Sequence, residues 1–435
     1  MRRMARGLAG LFGVVSLGLI VFTIWAWRAS IAPIAPPSAT SFDAALVARG
    51  EKLADAGYCL TCHTPPKGKA YAGGLPMVTA FGTIYSTNIT PDPATGIGNW
   101  SQEAFTRALH EGVARDGSHL FPAFPYDHFT KLSDDDSKAL YAFMMTRPAV
   151  AQTPPANTVP FPLNVRLLQA GWKLLYFKEG RFQPTPEQSA AWNRGAYLAE
   201  GLSHCGACHT PRNALGAERQ GADAHLAGAQ VDGWFAPALT AANTAPVPWS
   251  VAELHDYLRN GGTAYHGVAA GPMSNVVRQG YALIDDADVN AVATYIASGN
   301  GAADRKADVG QIVGDEIARS RYDESHAVDH GAALYTSACA SCHYNPTSGP
   351  QLARPELGLK SSVSAHDATN LVQVILHGIS VKDGLPGTMM PAFGASMSDA
   401  DVAAIANYLR QSRTRLPPWT DLPALVAKVR SGETS

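Results

Sequence analysis

The sequence predicts a mainly α-helical chain of three similar tandem domains with long loops, preceded by an N-terminal membrane-spanning helix. Three observations carry that expectation. An uncharged run extends from Gly7 to Trp27; the pattern Cys-x-x-Cys-His occurs as CLTCH at 59–63, CGACH at 205–209 and CASCH at 339–343; and a segment of helical periodicity, opened by acids, follows each copy at a distance. No strand-rich region stands out.

The N-terminal run comes first. A signal-peptide core spans only ~7–15 apolar residues, whereas a spanning helix needs ~20, and this run has the length of a span. Arg2, Arg3 and Arg6 precede it, which puts the N-terminus in the cytoplasm, and Trp25 and Trp27 suit the far interface. Residues 1–30 are thus expected to anchor the chain in a bacterial inner membrane, with its bulk in the periplasm. The competing reading is a cleaved signal peptide, because ASIA at 29–32 offers small residues.

Beyond the anchor, 435 residues allow two to four domains of common size. The Cys motifs begin at 59, 205 and 339, separations of 146 and 134 residues, too wide for a solenoid period of ~20–50. The expected domains are 42–150, 185–300 and 325–413. Linkers are expected at 151–184 and 301–324, where RPAVAQTPPANTVPFP and SGNGAADRKADVG are rich in Pro or in Gly and Ala, and a tail at 414–435. Within the first linker LNVRLLQAGWKLLYF (163–177) has apolar residues at helical spacing; it suits either a membrane surface or packing between domains. Charged residues are 16% of the chain, below an average of about 25%. Lys plus Arg (34) nearly balance Asp plus Glu (36), which leaves no electrostatic case for nucleic acid.

Each motif is preceded by a helix opening near a glycine, at Gly50, Gly195 and Gly331. The late helices align without gaps as SDDDSKALYAFMM from Ser133, DDADVNAVATYIA from Asp285 and SDADVAAIANYLR from Ser398. Ser or Asp followed by acids is an N-terminal helix signal. The alignment superposes Phe143, Tyr295 and Tyr408. An aromatic repeated there, paired with an early glycine, predicts two helices crossing closely with a ring against bare backbone.

Cys-x-x-Cys-His is the attachment signal for c-type haem. Two cysteines three positions apart reach the vinyl groups on one porphyrin edge, and the adjacent histidine turns its imidazole to the iron. A zinc site would pair the motifs and leave one of three unmatched, and a thioredoxin-like dithiol needs a βαβ setting. All six cysteines fall in the motifs, so Cys59, Cys62, Cys205, Cys208, Cys339 and Cys342 are expected to hold three covalently bound haems c, with His63, His209 and His343 as proximal ligands. A methionine on the distal side raises the potential. In the third domain GTMMPAFGASM offers Met389, Met390 and Met397, and Met390 is the expected ligand; in the second, AGPMSNVV holds Met273. Between Cys62 and the late helix at Ser133 the first domain has only Met77, close behind its motif. Alignment with MPAF puts the ligand position of FPAFPYDHF (121–129) near Phe121 or Phe124, neither of which binds iron. His128 is the expected replacement, His119 the second choice, His110 also lies nearby, and an open five-coordinate iron is the remaining possibility.

With these motifs the chain resembles the tri-haem cytochrome c subunits of bacterial membrane-bound dehydrogenases. The resemblance covers nearly everything after the anchor, including DGSHLFPAFPY (116–126), CHTPRN (208–213) and MPAFG (390–394). It implies three class I cytochrome c domains that take electrons from a dehydrogenase catalytic subunit and pass them to membrane ubiquinone or a terminal oxidase, with no substrate chemistry of their own. Subunits serving quinoprotein alcohol and flavin-dependent sugar-acid dehydrogenases have methionine in the PAxPY segment. Phe124 with YDHF after it is more similar to cytochromes partnering molybdopterin hydroxylases, which bring an iron–sulfur subunit and oxidise aldehydes or N-heterocycles such as nicotinate and isoquinoline. Two rival readings stand beside this: a haem enzyme such as a peroxidase using an open first haem, and a freely diffusing carrier released by signal cleavage.

Overall fold

The structure is a computed structural model and describes residues 2–302, 308–321, 329–343, 350–352, 354–380 and 388–433. Parts of the expected 301–324 linker and the expected start of the third domain at 325 lie outside these residues. The chain divides into two compact units, one of Met1–Glu51 with Cys62–Phe182 and one of Lys52–Thr61 with Gln183–Ser435.

Helix α1 (Arg2–Ala26) opens the first unit. Leu11, Phe12, Val14, Leu17, Ile20, Val21 and Ile24 along it are exposed. Among the described residues no helix is long and apolar enough to cross a membrane. There follow α2 (Ala44–Ala56), α3 (Cys59–Cys62), a hairpin β1 (Pro76–Thr79) and β2 (Gly82–Tyr85), α4 (Gln102–Glu111), α5 (Tyr126–Phe129), α6 (Asp134–Met145) and α7 (Gln169–Tyr176). Ser101 caps α4 by accepting from Ala104 N, and Ser133 caps α6 from Asp136 N.

Helix α7 occupies the middle of the expected first linker, and packs. Its Trp172 meets Tyr126 edge-on, its Lys173 is buried, and Gly171 lies beside Phe22 of α1, while Leu174 and Leu175 on the other face stay exposed. One face of the amphipathic segment thus belongs to the first unit's core and the other to its surface.

The second unit holds α8 (Ala190–Tyr197), α9 (Gly206–His209), strands β3 (Ala229–Val231) and β4 (Trp234–Ala236), α10 (Val251–Asn260), strands β5 (Gly262–Thr263) and β6 (Gly267–Val268), α11 (Pro272–Val276) and α12 (Asp286–Gly299). It continues with α13 (Val309–Arg321), α14 (His330–Ala338), α15 (Ala340–His343), α16 (Ser361–Ser364), α17 (Thr369–His377), α18 (Asp399–Arg413) and α19 (Leu422–Ser431). The described strands form two-stranded antiparallel pairs, so the protein is mainly helical. Residues 52–61 count with this unit through Tyr58, whose hydroxyl donates to Ser203 O, and through Ser203 Oγ, which donates to Ala56 O at 2.8 Å.

The expected linker 301–324 and the expected tail 414–435 each hold a helix. The 301–324 linker contains α13, opened by Asp308 accepting from Gln311 N at 3.1 Å. The 414–435 tail contains α19, whose Leu422, Val426 and Val429 recur at helical spacing and complete the core formed by α14, α17 and α18. Arg430 fixes it, bonding Asp399 Oδ1 at 2.7 Å and Met397 O at 2.8 Å. The elements of the second and third sequence domains are also joined within this unit: Asn370 bonds the backbone of Phe235 through both ends of its amide, and Lys360 donates to Ala264 O at 2.7 Å.

The early glycines and late aromatics meet three times over. A Cβ on Gly50 would stand 2.0 Å from Ala139 O and 2.7 Å from Phe143 Cβ; on Gly195, 2.0 Å from Ala291 O and 2.9 Å from Tyr295 Cβ; on Gly331, 2.4 Å from Ala404 O and 2.9 Å from Tyr408 Cβ. The residue before each glycine locks the crossing to the same turn of the late helix. Arg49 donates to Asp136 at 2.6 Å, Arg194 grips both oxygens of Asp288 at 2.7 Å, and His330 pairs with Asp401 at 2.8 Å. Gly195→Ala is expected to destabilise by about 1–3 kcal/mol through overpacking. Gly314→Ala in α13, where no described atom lies within 4 Å of the added Cβ, is expected to stabilise by ~0.5–1 kcal/mol; guanidinium titration of the two variants measures both.

Candidate metal centres

Each motif forms a short helix with its histidine at or just after the end, and the structure holds each histidine by its ring. His63 Nδ1 lies 2.6 Å from Thr87 O, His209 Nδ1 2.6 Å from Pro237 O, and His343 Nδ1 3.3 Å from Pro355 O. A carbonyl only accepts, so each Nδ1 carries the proton and the Nε2 lone pair is left for a metal. Burial lowers all three imidazole pKa values, opposed by these same hydrogen bonds. The rings are neutral at pH 7, the form that ligates.

The main chain grips the first two histidines as well. Gly73 N donates to His63 O and Gly228 N to His209 O, each at 2.8 Å. Gly73 sits at φ 72, and a Cβ there would stand 2.4 Å from the carbonyl carbon of Thr87, so glycine is needed for both the angle and the space. Thr64 Oγ1 accepts from Tyr71 N and Thr210 Oγ1 from Leu226 N, both at 3.1 Å, which shapes the turn after the motif. The sequence signal for this was the shared CHTP of the first two copies. The third copy lacks this CHTP; there Tyr335 Oη donates to His343 O at 3.3 Å.

All six cysteines are thiols outside any disulfide. Burial first, and then Glu200, pushes the Cys205 thiol up to about 12; burial, then Cys342, pushes Cys339 up to about 11. A redox dithiol or a zinc-ready thiolate has a depressed pKa, so these thiols are set in apolar surroundings suited to thioether bonds to a porphyrin edge. Paired thiols beside a neutral, Nδ1-anchored imidazole fit haem c at each motif.

The distal candidates separate by their bonds. His119 is committed elsewhere, with Nε2 at 2.8 Å from Ala26 O and Nδ1 at 3.0 Å from Lys173 Nζ. His110 Nε2 pairs with Ser137 Oγ at 2.9 Å, joining α4 to α6. Phe121 is covered by the Arg166 guanidinium at 4.0 Å, and Phe124 stands edge-on to Phe129. His128 is buried on α5, next to Asp127. Met77 is paired with Ile84 in the hairpin, outside the distal segment. In the second unit Met273 is half-buried on α11. Met390 is half-buried and fixed by mutual backbone bonds with Ile379 at 2.9 Å, whereas Met389 is exposed and Met397 packs on the third-domain core. Arg212 braces its own loop through Gly216 O and Ala207 O.

The cytochrome c family matches residues 47–148 and 193–300, and the family described as cytochrome C oxidase, cbb3-type, subunit III matches 326–409. A nicotinate dehydrogenase subunit of Pseudomonas putida is 46% identical over 431 residues, which are 98% of this chain and 35% of that protein, so the chain spans about a third of that relative's length. The gluconate 2-dehydrogenase cytochrome c subunit of Pantoea cypripedii is 39% identical over 90% of both chains. The fructose dehydrogenase cytochrome subunit of Gluconobacter japonicus is 37% identical over 86% of this chain and 80% of its own.

The pair Cys205→Ala and Cys208→Ala is expected to remove one haem and leave those of the other motifs attached. Haem per chain, measured as the pyridine haemochrome, checks this.

Proposed function

Since the chain belongs to the cytochrome c subunits of dehydrogenases, we propose that its three motifs each hold a haem c, and that electrons enter from a partner dehydrogenase and leave to ubiquinone. The observation that carries the count is the threefold recurrence of paired cysteine thiols beside an imidazole whose Nδ1 faces a carbonyl. Haem c, when bound, supplies a one-electron couple at each site. The chain's own residues fix the imidazole tautomer and offer the sixth ligand: Met273 in the second domain, Met390 in the third and His128 in the first. A His/Met iron has the higher potential, so the first centre is the low-potential one.

The partner in this reading is a molybdopterin hydroxylase with an iron–sulfur subunit. Phe124 in place of a methionine, His128 behind it, and the similarity to the nicotinate dehydrogenase subunit support it. The second reading, a partner that is a sugar-acid or alcohol dehydrogenase carrying flavin or pyrroloquinoline quinone, is supported by the similarity to the gluconate and fructose dehydrogenase subunits. Helix α1 is the anchor in a bacterial inner membrane, with the remainder in the periplasm; its exposed apolar side chains from Leu11 to Ile24 and the uncharged sequence back to Gly7 support that placement.

Two measurements test this. Protein purified from membranes with its partner is expected to contain molybdenum; pyrroloquinoline quinone without molybdenum would overturn the partner assignment. Reduced wild-type protein is expected to bind no carbon monoxide, and His128→Ala to bind one per chain. Binding by the wild type at one haem in three would instead favour the open, enzyme-like first haem.

A further inference from the structure

Within the first unit a cavity of about 230 Å³ lies where the end of α1, the end of α4 and helix α7 meet, lined in part by Trp25, Arg28, Glu111, His119, Lys173 and Glu179. None of these residues belongs to a haem motif. Lys173 is buried, and its ammonium donates to Glu111 O at 2.6 Å, Gly112 O at 2.7 Å and His119 Nδ1 at 3.0 Å. His119 must then donate from Nε2 to Ala26 O, so it is a neutral ring that relays between α1 and α7. The lysine also lies 4.8 Å from the ring of Tyr126, on the same short helix as His128, and the buried hydroxyl of Tyr126 has no hydrogen-bond partner among the described residues.

Three features define what such a cavity takes. Two cations, Arg28 and Lys173, are matched by two carboxylates, Glu111 and Glu179, which disfavours an anion and suits a neutral ligand with acceptor oxygens. Part of the lining is apolar: Trp25 and Leu174 line the cavity, and Trp27, Leu168 and Leu175, within a few residues of them in sequence, are exposed. The wall carries groups ready to exchange protons. Burial and then Arg28 lower the Lys173 pKa to about 7, and burial and then Glu179 raise that of Glu111.

A neutral ring that arrives from an apolar phase, presents carbonyl oxygens and takes up protons on reaction is a quinone. We infer that this cavity binds the head ring of a membrane quinone and is the exit for electrons from the first haem centre. The inference rests on the reading above that a quinone is the acceptor. Haems bound at the motifs would supply the two electrons, and two protons would reach the two quinone oxygens to give quinol. Lys173 supplies one proton and Glu111 the other, and both are reprotonated from solvent. Arg28 favours the reduced oxygens as they form.

The test uses full-length haem-loaded protein in detergent micelles, reduced stoichiometrically and mixed with a short-chain ubiquinone analogue while the haem α band is followed. Lys173→Met, which keeps the side-chain length, is expected to slow oxidation by about 100-fold. Ala170→Leu, which fills the cavity from its buried wall, is expected to slow oxidation and to abolish the saturable quenching of tryptophan fluorescence by the analogue. Haem content per chain checks that each variant is folded. If the wild type is oxidised by quinone and both folded variants match its rate, the site assignment falls and the acceptor reading stands. If the wild type is oxidised by ferricyanide and not by quinone, the acceptor reading and the site fall together.

Discussion

The close crossing of the first and last helices of each cytochrome domain is the constraint on which the rest depends. At Gly50, Gly195 and Gly331 the late-helix carbonyl comes so near that any side chain would strike it. Close-packed interiors respond to single methyl groups, so contact at this range defines one angle and one register. The basic residue before each glycine adds direction to that fit. Arg49, Arg194 and His330 are part-exposed, and exposed pairs contribute only ~0–1 kcal/mol, so they select the register more than they stabilise it. With the crossing fixed, the first helix delivers its Cys-x-x-Cys-His at a set place against the late helix.

Around that frame the main chain orients the three motif histidines. The carbonyls of Thr87, Pro237 and Pro355 choose the imidazole tautomer, and the glycine amides of residues 73 and 228 hold the histidine backbone. The third histidine has a longer ring bond, and a tyrosine hydroxyl donates to its carbonyl.

Legibility in the sequence followed which atoms do the work. Cysteines and histidines at fixed spacing carry chemistry in their side chains, and the glycine and aromatic repeats mark a steric demand, so all were readable. The carbonyls that orient the histidines belong to Thr87, Pro237 and Pro355, and a main-chain oxygen leaves no mark on residue type. The basic residue before each glycine does not stand out as a repeat because arginine and histidine alternate there. Helices α13 and α19 were hidden by neighbouring Gly, Pro and Ala, although Leu422, Val426 and Val429 had helical spacing. His119 was readable as a buried histidine near the expected ligand loop, but its capture by Ala26 O and Lys173 depends on helices brought together from distant sequence.

We propose that one packing solution, repeated three times, builds three one-electron centres of which the first differs in its distal ligand. A spectroelectrochemical titration of the haem-loaded chain tests it most directly. Three one-electron steps are predicted, two at higher potential from His/Met irons and one lower from a His/His iron. Fewer than three steps, or three without a low-potential member, would contradict it.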